Sequence, residues 1–296
     1  MMASAQVLIT RVLCVIGMIA FSTLAQANSD LLQVKYIGNN HQVSEQYYLA
    51  LIAAALETTR ASHGPYQINF TEQTLPSERK HELLIAGDAV NIDRLVGFPV
   101  AQGPRLKLLR VDHPILQGAM GYRVLVIHKN KQARFNKIHS LNELRQLRMG
   151  FGRGWEGHVY THNGLNVTES LNMSSLLKML AAQRYAFVPL SIIEVEDNYL
   201  LDGRRANNLV IENNLLLYMP LPVYFYVSPS APELAERLQI GLQILTESGA
   251  IDDLFQHYFG ARLARLNLSK RRLIPLENPD KNDNHPEADH EWLNNF

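Results

Sequence analysis

The chain of 296 residues has one cysteine, two tryptophans and no excess of charge, with 28 Lys and Arg set against 28 Asp and Glu. A single thiol, Cys14, excludes an internal disulfide and a cysteine-ligated zinc site. Charge balance removes the field that would draw in nucleic acid or an acidic membrane, so neither is expected as a partner. The 11 histidines are scattered without an HExxH pair, and no metal is expected. GxSxG is missing, no acid and base pair stands out, and no catalytic residue or enzyme activity is assigned.

Long apolar runs are scarce too. The clearest, "VLCVIGMIAFSTLA", follows Arg11 and precedes "AQA" ending at Ala27. That is the three-part layout of a secretory signal peptide over residues 1–27, and the run is shorter than the ~20 apolar residues that span a bilayer. Cleavage and a soluble periplasmic protein are expected. Leu13 precedes Cys14 where a lipoprotein signal needs a small residue, so no lipid anchor is expected.

What is present alternates. "LLQVKYI" reads as a strand, "SEQYYLALIAAALETTR" as a helix with Ser44 as its N-cap, and "YQINFTE" as a strand. "SLNELRQL", capped by Ser140, "RMGFG", "SSLLKMLAAQR", "YAFVP" and "LSIIEVEDNYLL" continue the alternation. "LYMPLPVYFYVSPSAP" is β-rich, and Ser230 with Glu233 has capping-box spacing ahead of a long helix. The fold class is α/β. The tail from Lys270 is rich in Pro, Asn, Asp and His, which predicts an extended segment over 269–296. Its apolar "RRLIPL" is expected to dock on the first lobe as a strap.

"GRGWEG" at 152–157 spells GxGxxG, the string that cradles a dinucleotide pyrophosphate when it opens a first βαβ unit with an acidic residue about 20 positions on. Here it lies mid-chain and "SSLLKML" occupies that distance, so no nucleotide or other cofactor is expected.

Four stretches in order, "LLQVKYIGNN", "PILQGAMGYRVLVIHKN", "IHSLNELRQLRMGFGRGWEGHVYTHNGLNV" and "GLQILTESGAIDDLFQHYFG", resemble extracytoplasmic solute-binding proteins of the type II periplasmic-binding fold, in the family that includes the amino-acid receptors of ABC transporters. The resemblance implies two α/β lobes joined by two crossing strands, with a small solute trapped between them. One lobe would comprise residues 28–125 plus 222–268 and the other 129–218, with "YRVLVIH" and "PVYFYVS" at the crossings. It further implies a monomer that captures a small polar, carboxylate-bearing solute and hands it to a membrane permease. The alternative is a sensor or accessory protein of the same fold, and less so an enzyme.

The resemblance also assigns ligand contacts. Arg123, next to Tyr122 in "MGYRVLVI", aligns with the arginine that grips an α-carboxylate, a task suited to the guanidinium's planar fork. Gly154 and Trp155 stand where the family writes a Gly-Thr pair that receives an anionic group at a helix start. Arg123 and this loop would hold one carboxylate between the lobes. Ala186 replaces the aspartate that pairs with a ligand ammonium, and only Glu194 and Glu196 follow it nearby.

Overall fold

The computed structural model describes residues 31–96, 107–152, 156–170, 172–198, 208–280 and 290–296. The expected signal peptide at 1–27 lies outside these residues, as do Gly154 and Trp155.

The smaller lobe is built from two sheets. β1 (Leu32–Gly38) pairs in parallel with β2 (Tyr66–Glu72). β11 (Val223–Val227) runs antiparallel between β3 (Ile92–Val96) and β4 (Leu109–Arg110). Asn91 joins the two sheets, its Oδ1 accepting from the Lys35 amide at 2.7 Å and its Nδ2 donating to the Gln33 carbonyl at 2.7 Å. Helices α1 (Val43–Thr58) and α2 (Ser77–Ala86) follow β1 and β2. α1 starts at Val43 after Gln42, so the expected cap Ser44 lies inside the helix and is buried.

The larger lobe is one seven-stranded sheet. Its path runs β12 (Arg272–Pro275), β10 (Leu215–Tyr218), β5 (Tyr122–His128), β8 (Phe187–Ser191), β6 (Arg148–Gly152) and β7 (Asn166–Ser170), with β9 (Leu209–Ile211) added to β5. All seven residues of β5 are buried, as a strand covered on both faces requires. α3 (Leu141–Arg145) opens with the cap expected at Ser140, which Glu143 completes as a capping box, α4 (Gly157–His162) follows the glycine loop, and α5 (Met173–Ala181) is capped by Asn172. The chain then returns to the smaller lobe through α6 (Pro232–Glu247) and α7 (Ala250–Phe255). α6 packs on α1, where the buried Arg237 guanidinium donates to the carbonyls of Leu56 and Gly64 at 3.3 and 3.2 Å. The Ser230–Glu233 capping box does not form: Ala231 is the N-cap with Pro232 beside it, and the Ser230 hydroxyl bonds Ser228 at 2.9 Å.

"YRVLVIH" and "PVYFYVS" are not themselves the crossings. Each is hydrogen-bonded inside one lobe, β5 in the large sheet and β11 in the small one, so the chain changes lobes just before Tyr122 and just after Tyr218. The two passages lie side by side, the Met219 amide donating to the Gly121 carbonyl at 3.1 Å. The tail also departs from expectation. Arg272–Pro275 pairs in parallel with β10 of the larger sheet, not with the first lobe, because β10 presents an open edge there.

At the crossing a side chain on residue 121 has no room: a Cβ would stand 2.2 Å from the Met219 carbonyl oxygen. Gly121→Ala is expected to destabilise the protein by about 1–3 kcal/mol, the usual cost of overpacking, read as a lower urea midpoint at unchanged m-value.

Candidate functional site

A cavity of about 490 Å³ opens where the carboxyl ends of β1, β2 and β3 meet the larger lobe, the place where open α/β sheets bind ligands. The smaller lobe lines it with Gly38, Glu45, Lys80, Asp93 and Arg94, and the larger lobe contributes Glu194, from the turn after β8.

Its charges are ordered. The Arg94 guanidinium sits 5.3 Å from the Tyr48 ring, donates to Glu45 Oε1 at 2.5 Å and pairs with Asp93 at 3.4 Å. Lys80 Nζ donates to Asp93 Oδ1 at 2.7 Å and lies over the Tyr36 ring. The Tyr36 hydroxyl donates to Glu45 Oε2 at 2.6 Å, and burial raises that phenol's pKa well above its ordinary value. Glu45 can enter this network because residue 38 is glycine: a Cβ there would lie 2.4 Å from Glu45 Oε2. Buried charges persist only when paired and hydrogen-bonded, and Glu45 and Asp93 each meet that condition.

Glu194 does not. Among the described residues its carboxylate makes no side-chain hydrogen bond or ion pair, and it borders the cavity. Burial lifts its carboxyl above the usual carboxylate range, Arg123 and Arg94 pull it partly back, and the carboxylates of Glu156 and Glu45 push it up again.

Of the expected site residues, Tyr122 and Arg123 are described and stand outside the cavity lining. Arg123 is buried and forms an ion pair with Glu156, the residue after Trp155, while its Nε has no hydrogen-bond partner among the described residues. Arg123 on β5 and the described residues that flank the loop, at the end of β6 and at Glu156, belong to the same sheet and its following turn. Tyr122 points to the opposite side of β5, as strand periodicity demands, and its hydroxyl meets His290 Nδ1 at 2.5 Å. Neither Tyr122 nor Arg123 lines the cavity. Gly154 and Trp155 lie outside the described residues. Glu196 binds Arg262 and Arg265 and so is not a second open carboxylate. Arg94 and Asp93 were missed, although a charged pair within the short strand "NIDRLV" is a signal, since such residues need partners. Among the described residues no cluster of His, Cys, Asp or Glu could hold a metal ion, and no helix is long and apolar enough to cross a membrane.

No protein-family model matches the sequence and no curated protein matches it. Solved structures do match. A probable amino-acid ABC transporter extracellular-binding protein from Bacillus subtilis is 13% identical with a TM-score of 0.56, over 78% of this chain and 100% of that one. The GluR0 ligand-binding core in complex with L-glutamate is 14% identical with a TM-score of 0.55, over 79% and 100%. A histidine kinase sensor domain with similarity to periplasmic binding proteins is 16% identical with a TM-score of 0.52, over 78% and 96%. The chain has the two-lobe type II periplasmic-binding fold.

The raised Glu194 carboxyl carries a stability consequence. Because its folded-state value lies above the unfolded one, the stability it contributes is complete below the ordinary glutamate range near ~4.3 and is lost as pH rises through the raised value. Glu194→Gln is therefore expected to melt higher than the wild type at neutral pH, with the difference closing in acid, as measured by calorimetry from pH 4 to 8.

Proposed function

We propose that this protein is a periplasmic solute-binding protein whose lobes, 28–125 plus 222–268 and 129–218 with the boundary drawn in to Gly121, close on a small polar solute and pass it to a membrane permease. The observation that carries the reading is the cavity between the lobes with one open carboxylate, Glu194, facing cations that are already paired. An open carboxylate receives a protonated amine, and it stands in for the aspartate missing at Ala186. A carboxylate on the same solute would be received by the donors that Arg94 and Lys80 have left, since an arginine offers five N–H groups and a lysine three. The solute class is thus a zwitterion carrying both groups, which narrows the expected carboxylate-bearing solute.

Arg123 acts in this account from behind the wall. Paired to Glu156, it is a positioning charge that tempers Glu194 and does not grip a ligand itself. Closure would follow from contacts to both lobes, since a ligand shifts a conformational equilibrium only by its differential affinity for the two states. The sensor alternative differs in partner and not in cleft chemistry.

A thermal-shift screen of the mature protein against amino acids, simple amines and carboxylates lacking an amine tests this. A ligand at 100 times its Kd stabilises by about 2.7 kcal/mol, which corresponds to a rise of several degrees. Zwitterions should give that rise in the wild type and lose most of it in Glu194→Gln. Stabilisation by carboxylates without an amine, equal in wild type and Glu194→Gln, would overturn the reading.

A further inference from the structure

The last residues of the chain touch both lobes at the hinge without entering the cavity. From β12 the chain stays against the second crossing: the Leu276 amide donates to the Tyr218 carbonyl at 2.7 Å, and Asn278 Nδ2 donates to the Pro220 carbonyl at 3.0 Å. Asn163, at the end of α4, holds Glu277 by both backbone groups, at 2.7 and 2.9 Å. His162 and His158 on α4 meet Glu277 and Asp280 at 3.4 and 2.7 Å. These exposed pairs add little individually, whereas the paired backbone contacts of Asn163 fix the path.

Residues 290–296 complete the contact. His290 accepts or donates at the Tyr122 hydroxyl and packs edge-on against Tyr218, with ring centroids 4.7 Å apart. Tyr122 and Tyr218 are themselves partners across β5 and β10, immediately beside the two crossings. Trp292 packs edge-on against Tyr122 at 5.3 Å and against Phe255 at 6.4 Å. Phe255 closes α7 and packs on Tyr47 of α1, so it belongs to the smaller lobe. The Leu268 amide donates to the Phe296 carbonyl at 2.6 Å, and Leu293 is buried. One short segment therefore bridges aromatic side chains of the larger lobe to a helix of the smaller one, at the axis about which the lobes must turn. A solvating tail has no need of a tryptophan and two further apolar anchors in seven residues.

We propose that the C-terminal segment is a hinge brace: His290 and Trp292, both on Tyr122, with Trp292 also on Phe255, fix the angle at the crossings, and releasing them widens the range over which the lobes move. The brace acts independently of which solute the cleft takes, because none of its residues lines the cavity.

The test needs no ligand. Spin labels on exposed Glu247 of α6 and Lys178 of α5 report the distance between lobes in the mature full-length protein. Trp292→Ala should shift or broaden that distance distribution relative to the wild type, while hydrogen exchange keeps the Ile274 amide region of β12 protected. His290→Ala, which removes only the ring between the two tyrosines, should move it in the same direction by less, and it decides the matter should Trp292→Ala fail to fold. A distribution unchanged from wild type in the folded variants would show that the segment only covers apolar surface and does not set the hinge.

Discussion

The two passages between lobes run in contact, and most of what is specific to this protein follows from that contact. The bond from the Met219 amide to the Gly121 carbonyl fixes the register in which β5 pairs with β10. Register then decides facing. Tyr122 and Arg123 are neighbours in sequence, yet strand geometry sends one toward the tail and the other toward Glu156. A shift of one residue would exchange these environments, placing a guanidinium among aromatic rings and a phenol opposite a carboxylate. The glycine at 121 is what permits the approach.

The second organising fact is how charge is disposed on either side of the cleft. On the smaller lobe, Lys80, Asp93, Arg94 and Glu45 neutralise one another in sequence. On the larger lobe, Glu156 neutralises Arg123, and Glu194 is left facing the cavity. Prepaired cations give a weak grip on a simple anion, because each must be drawn from a partner it already has. In the proposed reading a cationic nitrogen is received at Glu194, which only the more distant fields of Arg123 and Arg94 offset. Selectivity, on that reading, comes as much from what is satisfied beforehand as from what is exposed.

Much of the architecture could be read from the sequence. Alternating short strands and helices gave the class, and "SLNELRQL" announced its own cap at Ser140, to which the structure adds Glu143. Local signals failed where a tertiary contact claimed the same atoms. Ser230 and Glu233 have the spacing of a capping box, but Ser228 takes the Ser230 hydroxyl. "YRVLVIH" looks like a strand wherever it is placed, and only its partners assign it to one lobe. The candidate site was the least legible part. Arg123 was conspicuous only through the family resemblance, and no sequence pattern reveals that Glu156 already holds it. Arg94 and Glu45, separated by 49 positions, become a pair only once β3 and α1 are packed. Glu194 was visible as a nearby carboxylate; that it makes no side-chain hydrogen bond or ion pair among the described residues was not.

Proton counting tests the central claim most directly. In the free protein the raised Glu194 carboxyl retains its proton to higher pH than an ordinary glutamate, and a bound ammonium would drive that proton off. Calorimetric titration of the tightest-binding solute, repeated near pH ~5 in two buffers of different ionisation heat, reads the number of protons exchanged. The account predicts net release on binding, abolished in Glu194→Gln. Binding that takes up protons or exchanges none, with the same affinity in Glu194→Gln, would contradict it.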